Sequence, residues 1–431
     1  MAAPPAATDE YLRSSNDAYY SSNEPAIARQ ENCQGFGDSS FSDYTVYAPL
    51  YKAIFHNDWE TAKAYLKHNP NAVSARLTST GDTALHIAAV TGRVHLVKEL
   101  VQLMPTEALE ITTYGGVTAL SQTAVTGSIE IAKLMVEKNK NLLRIKNSYN
   151  FVPLVVSAIN GNEVLLRYLY SETPKEELDP RAGINGAAFL TSLIMADIYD
   201  VALDVLQRYP KLATSPDTEG MTIINMLSIK PSAFPSGNRY GFWQQLIYTC
   251  IPVELEHLVR DVERDELQKF SQVREHGLVW KALKLLVPGV RQIHEKKVIH
   301  VQALELVKVI CPQLSNLTDP QLIEAGALSS ILNTANFGII EYFKELINSS
   351  PFLITAENMN GAGLMQIAVM NRQEKIYNFM SQMGQKNQMA AGKDNFGHNI
   401  LHFAGVLAPP FQLDKVSGAA LQMQREIQWF Q

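Results

Sequence analysis

Apolar residues in this chain fall in short runs with three- and four-residue spacing, each run broken by Gly, Asn or Asp, and the unit returns about every 35 residues. The clearest copy reads Gly81-Asp82-Thr83-Ala84-Leu85-His86-Ile87-Ala88-Ala89, reaches Gly92, and continues through Leu96, Val97, Leu100 and Val101. The next reads Gly116-Val117-Thr118-Ala119-Leu120, then Gly127, then Ile131, Leu134 and Met135. In both copies the leucine precedes the glycine by the same interval. That pattern predicts a short helix, a tight turn at the glycine and a second amphipathic helix.

Sliding this register along the chain pairs Leu50 with Asn57, Leu154 with Gly161 and Leu190 with Asp197, and reaches Ile224; successive anchors lie 35, 35, 34, 36 and 34 residues apart. Thr83 and Thr118 stand where an N-cap hydroxyl accepts a hydrogen bond from an otherwise unsatisfied helix N–H. Pro49 and Pro153 take the following position, the first helical turn, where the missing N–H leaves nothing unpaired. Gly92, Gly127 and Gly161 permit positive φ between the two helices, and Asn57 and Asp197 are the best substitutes. Small residues on the first helix, Ala53, Ala88, Ala124 and Ala158, let neighbouring units stack closely.

After Ile224 the anchor disappears for 107 residues. Within that gap Pro231, Pro235 and Gly237 mark a loop, Phe242 to Cys250 reads as a short helix, and Leu255 to Leu286 and Val298 to Ile310 show longer helical periods. These residues are either degenerate copies or a helical linker. A second set pairs Ile331 with Gly338 and Leu364 with Asn371, and ends at Leu401 in Gly397-His398-Asn399-Ile400-Leu401-His402. The expected division is a disordered lead over 1–45, rich in Ser, Asn, Asp, Ala and Tyr; a repeat block over 46–230; the linker or degenerate copies over 231–320; a second block over 321–410; and an amphipathic closing helix over 411–431.

These units resemble ankyrin repeats, whose period is about 33 residues and whose hallmark is close to Gly-x-Thr-Pro-Leu-His. The expected fold is therefore all-α, an ankyrin-repeat solenoid of helix-turn-helix-loop units in two blocks with a helical linker. Over nearly everything after Tyr47 the chain is also similar to a plant family of ankyrin-repeat proteins with a C-terminal transmembrane module called PGG, typified by accelerated-cell-death and salt-tolerance regulators. Ser228 to Phe234, Trp243 to Cys250, Asp394 to Ala404 and Gln422 to Phe430 carry this similarity. The resemblance implies a non-enzymatic scaffold in stress or defence signalling at the cytosolic face of a membrane, with no catalytic residues and no cofactor. In that family the closing helix leads into the membrane module, whereas this chain stops at Gln431. A fragment, a short isoform or a chain that has lost membrane attachment is expected. The alternative function is a soluble, cytoplasmic regulator competing for the same partners.

Composition narrows the classes further. With 431 residues, 46% apolar and 19% charged, the chain has ample material for a buried core. A net charge of -6 gives no attraction for nucleic acid or anionic lipid. Cys33, Cys250 and Cys311 are too few and too scattered for a disulfide framework or thiolate metal site. No window approaches the roughly 20 apolar residues that span a bilayer.

The residues that could carry chemistry read as structural. His294-Glu295 followed by His300 lacks the i, i+4 spacing of a helical zinc site, so surface histidines are expected. His86 and His402 occupy one repeat slot, where an imidazole ties the hairpin loop to the helix start. No phosphate-binding loop or Gly-x-Ser-x-Gly elbow is present. Lys281, Lys284, Arg291, Lys296 and Lys297 read as a solvated helix face. No catalytic, metal or cofactor residues are expected. Partners are other proteins, bound on the concave surface of the stack. At the hairpin tips Tyr114, Tyr149 and Phe151 replace small polar residues and are the expected partner contacts.

Overall fold

The computed structural model describes residues 46–238, 240–251, 253, 288–384, 386–413 and 418–429. The expected disordered lead, Cys33, the helical period at Leu255 to Leu286, and Lys281 and Lys284 lie outside the described residues. Five helix pairs come first: α1 (Ala48–Phe55) with α2 (Trp59–His68), α3 (Ala84–Val90) with α4 (Val94–Leu103), α5 (Ala119–Thr126) with α6 (Ile129–Lys138), α7 (Pro153–Ile159) with α8 (Glu163–Glu172), and α9 (Asn185–Met195) with α10 (Tyr199–Arg208). They are followed by α11 (Ile223–Ser228), α12 (Phe242–Cys250), α13 (Pro288–Leu314) and α14 (Asp319–Glu324). Two more pairs, α15 (Ala327–Phe337) with α16 (Ile340–Ser349) and α17 (Leu364–Met370) with α18 (Glu374–Ser381), precede α19 (Lys386–Ala391), α20 (Ile400–Gly405), α21 (Pro410–Leu413) and α22 (Ala419–Gln428).

The turn residues fall where the register put them. Gly92, Gly127, Gly161 and Gly338 have φ of 69°, 67°, 68° and 77°, and Asn57 and Asp197 have 60° and 59°. One register is off by a residue. Gly338 is followed in the next repeat not by Asn371 but by Arg372, at φ 53°. Met365, rather than Leu364, is therefore the anchor there. Its neighbour Gln366 accepts the Gly363 N–H (2.7 Å), as His86 Nδ1 accepts the Thr83 N–H (3.3 Å) in the second repeat. An arginine tolerates the left-handed backbone because its buried guanidinium is held from several sides. It donates to the carbonyls of Val369 (2.7 Å), Ala404 (3.1 Å) and Val406 (2.7 Å), and pairs with Glu426 of α22 (2.6 Å).

Capping differs in detail from expectation. Thr118 Oγ1 accepts the Ser121 N–H (3.2 Å), whereas the Thr83 hydroxyl lies 2.9 Å from His86 Nδ1 and pairs with the ring. Pro153 opens α7, while α1 starts one residue before Pro49.

The first helices stack in one unbroken inner row: α1, α3, α5, α7, α9, α11, α15, α17 and α20 each pack on the next. The second helices form an outer row, in which α4, α6 and α8 pack in sequence and α10, α13, α16 and α18 pack in sequence. This is the contact pattern of an ankyrin-type solenoid, with Ala53, Ala88, Ala124 and Ala158 all buried between layers. After each of the outer helices α2, α4, α6, α8, α10 and α16 the chain makes a short 3-10 turn that buries an apolar residue: Ala72, Leu109, Leu142, Leu178, Leu212 and Leu353. Proline at or just before the start of five of these turns is a periodic signal that helix-based reading passes over.

The described residues of the interval over 231–320 contribute to the same stack. Helix α13 packs between α10 and α16 and so continues the outer row. His300 of α13 is fully buried and not on the surface, because Tyr248 Oη lies 2.8 Å from its Nδ1 and Asn238 Nδ2 lies 2.8 Å from its Nε2. Lys297 is not simply solvated either: its ammonium donates to the Tyr248 and Ile251 carbonyls at the end of α12, both at 2.7 Å. Arg291 remains at the solvent, paired with Glu295 at 2.8 Å.

Candidate protein-binding surface

Six hairpin tips between repeats are built by one recurrent polar device. At four of them an Asn or Asp carboxamide or carboxylate oxygen accepts the N–H groups two and four residues on. Asn147 holds Tyr149 and Phe151, both at 3.0 Å; Asp217 holds Glu219 and Met221, both at 2.9 Å. Asn358 holds Asn360 (3.0 Å) and Ala362 (2.9 Å); Asp394 holds Phe396 (3.0 Å) and His398 (2.7 Å). Thr78 and Thr113 take this place in the earlier tips, each hydroxyl accepting the N–H four residues on. Three residues after each of these six sits a positive-φ residue: Gly81, Gly116, Asn150, Gly220, Gly361 and Gly397. In each of the six the side-chain oxygen is thereby tied to the tip's own backbone.

Backbone bonds string neighbouring tips together. The Tyr114 N–H donates to Thr80 O (3.0 Å), Ser148 N–H to Gly115 O (3.1 Å) and Asn395 N–H to Asn360 O (2.9 Å). His86 adds a link between layers, its Nε2 standing 3.0 Å from Val117 O. A carbonyl only accepts, so Nε2 carries the proton and Nδ1 is left as the acceptor for the Thr83 N–H. Burial holds the His86 pKa below the ordinary imidazole value, consistent with a neutral ring. His402 sits in the same slot but is exposed, 2.7 Å from Asn399 Oδ1.

The three expected contact residues are distributed over two adjoining tips. Tyr114 is 54% exposed, with the Arg76 guanidinium 4.7 Å from its ring centroid. Arg76 also donates to Gly81 O (2.9 Å) and Thr112 O (2.7 Å), which fixes the cation beneath the ring. Tyr149 is 66% exposed and stacks on Phe151 with ring centroids 6.4 Å apart, while Phe151 is half-buried against the core. Two residues escaped the sequence reading: Met359, 93% exposed, and Phe396, 69% exposed, stand beside the tip residues Asn358 and Asp394 as Tyr114 and Tyr149 stand beside Thr113 and Asn147. The shared Asn or Asp register would have found them.

Among the described residues no group of three or more His, Cys, Asp or Glu side chains is placed to hold a metal. No described helix is long and apolar enough to cross a membrane. Comparison with curated proteins gives no match. Residues 80–104, the end of a hairpin tip with α3 and α4, match the family model of the ankyrin repeat, a module that serves protein–protein interaction.

Proposed function

We propose that this chain is a non-catalytic scaffold that holds other polypeptides against its hairpin tips and the exposed side of the inner row. The observation that supports this reading most is the tip series, in which side-chain-locked loops hold Tyr114 and Tyr149 outward. Aromatic side chains on a preorganised surface desolvate much area and lose little conformational freedom on binding. A photo-crosslinking residue placed at 114 or 149 in plant cells is expected to give partner adducts that the same residue at Lys98, exposed on the outer helix α4, does not give. Equal adducts from both faces, or none from the tips, overturn the proposal.

The resemblance to the plant family supports stress or defence signalling at the cytosolic face of a membrane as the setting. Fractionation of the product of the full transcript tests it. Retention in the membrane fraction after an alkaline wash is expected, and a wholly soluble product overturns that part.

A further inference from the structure

Five exposed apolar side chains occupy one repeat position on successive inner helices. Phe55, Val90, Val125, Ile159 and Met195 each follow their leucine anchor at the same interval, and their exposures run from 38% to 52%. Equivalent positions on stacked equivalent helices face the same side, so the five form a stripe along the inner row. It ends where the repeat series is interrupted: Ile229 is half-buried and Asn336 takes the position on α15.

Charge sets this face apart from the outer row. Helices α1, α3, α5, α7 and α9 contain no Asp or Glu, and Lys52 is their single Lys or Arg. Each of the paired outer helices carries at least one carboxylate, among them Glu60, Glu99, Glu130, Glu163 and Asp200. A charged ligand laid along the stripe would lose its hydration and find no charged side chain on these helices but Lys52, whereas a neutral apolar one strands nothing.

We infer that the stripe binds an extended, uncharged polypeptide segment in the polyproline-II conformation, with an apolar residue at every third position. The inference rests on the scaffold reading and names the chemistry of the partner. Packed helices stand about 8–10 Å apart. A polyproline-II chain rises about 3.1 Å per residue with three residues per turn, so every third side chain returns to one face after about 9.3 Å. About 13 residues reach all five positions. A β-strand covers the same distance in three residues but turns the third side chain to the opposite face. An α-helix repeats its face after seven residues and about 10.5 Å, needs about 29 residues, and drifts about 20° per heptad away from a straight stripe.

A random library of 16-residue peptides displayed on phage, selected against the full chain, tests this. Selected sequences are expected to carry apolar residues with a three-residue period and few charges. Their synthetic versions should lose at least tenfold in affinity to the Val125→Asp/Ile159→Asp variant, and change less than twofold between low and high salt. Val125→Ser/Ile159→Ser, a milder change at the same exposed positions, should lose affinity in the same direction if the first variant folds poorly by circular dichroism. Binders without that period, or binders that tolerate both double variants within twofold, overturn the inference and leave the scaffold reading standing. A library that yields no binder while tip crosslinks give adducts also removes this inference alone. Absence of both removes the two together.

Discussion

The five-pair array over 48–208 and the seam around α11, α13, α15 and α16 build the same two-row stack from different wiring. In the array each layer is tied to the next by neighbours in sequence: His86 reaches Val117, Asn139 reaches Thr106 O at 3.1 Å, and Arg167 pairs with Asp200 at 2.7 Å. At the seam the same kind of contact joins residues more than a hundred positions apart. The Thr222 hydroxyl donates to Ala325 O (2.8 Å), Asn225 Nδ2 to Ser329 Oγ (2.8 Å), and the Tyr342 hydroxyl to Ile224 O (3.1 Å). Glu341 receives the Ser236 N–H (3.0 Å) and its hydroxyl. A solenoid needs only that each layer find its neighbour, so the layer that packs on α11 can arrive late in the chain without breaking the stack. The cost is loop closure, which rises only slowly with loop length.

What compensates at the seam is aromatic burial. Tyr342 is fully buried and stacks on Phe234, also fully buried, with ring centroids 5.9 Å apart. Removing one of them should break the comparison most severely. Tyr342→Ala is expected to cost about 3–5 kcal/mol and to split a single denaturant transition in two, because coupling in a repeat stack passes only through adjacent layers. Hydrogen exchange should then show α15 to α17 opening while α3 to α7 stay protected. A uniform loss of protection over both regions would show that the seam is not the weak joint.

Acid should separate the regions next. Burial drops the His300 pKa to about 4, with Lys296 nearby adding to it against the Ser232 carbonyl. The unfolded chain titrates near 6.5, so it takes up a proton that the folded seam excludes. Seam stability is therefore complete above pH 6.5 and falls as pH drops from 6.5 toward 4, by about 3 kcal/mol. His86 shifts in the same direction through burial and gives the array its own acid limb. His300→Gln should flatten the acid loss of exchange protection in α13 and leave that of α3 unchanged. If α3 responds equally, the two limbs are not separate.

These two regions also mark what the sequence could carry. The array was legible because every layer repeats a local pattern: a leucine anchor, a left-handed turn residue, and a buried small residue, all within one helix and its turn. Six of the seven anchor and turn pairs, from Leu50 with Asn57 to Ile331 with Gly338, stand as the period placed them. The slip at Arg372 arose because a buried ion pair with Glu426, 54 positions away, replaces the glycine that normally marks the turn. The outer-row place of α13 was not legible, since its contacts with α10 and α16 come from outside its own period. At the tips Tyr114, Tyr149 and Phe151 were visible as aromatics in polar positions, while Met359 and Phe396 needed the Asx register to be seen.

Glycine substitutions should sharpen the contrast at smaller scale. Gly161 (φ 68°) and Gly326 (φ 76°) both require the left-handed backbone, but a Cβ at Gly161 meets nothing within 4 Å, while at Gly326 it falls 1.6 Å from Asn225 Oδ1. Gly161→Ala should cost about 1 kcal/mol, the strain alone. Gly326→Ala must also displace Asn225 and forfeit its bond to Ser329, for a total of about 2–3 kcal/mol. Equal losses in chemical denaturation would mean that the Asn225 contact contributes nothing to the seam.

The smallest effect concerns the two non-glycine turns between paired helices of the array. Asn57 at φ 60° lies at its far end, and Asn57→Gly should stabilise by up to about 0.5–1 kcal/mol by releasing the left-handed strain. Asp197 has nearly the same φ of 59°, yet its carboxylate pairs with Lys230 at 2.6 Å and accepts the Tyr199 hydroxyl at 3.0 Å. The same ammonium donates to Ile194 O (2.8 Å) and Met195 O (2.9 Å), closing the end of α9 with a cation just past α11. Asp197→Gly therefore gains the same backbone relief but loses the anchor of that cation, a half-exposed pair worth up to about 1 kcal/mol. The two changes should differ in sign or in size, with Asn57→Gly raising the melting temperature and Asp197→Gly leaving it level or lower. Equal gains at both turns would show that Lys230 holds the boundary between array and seam through the carbonyls of α9 alone.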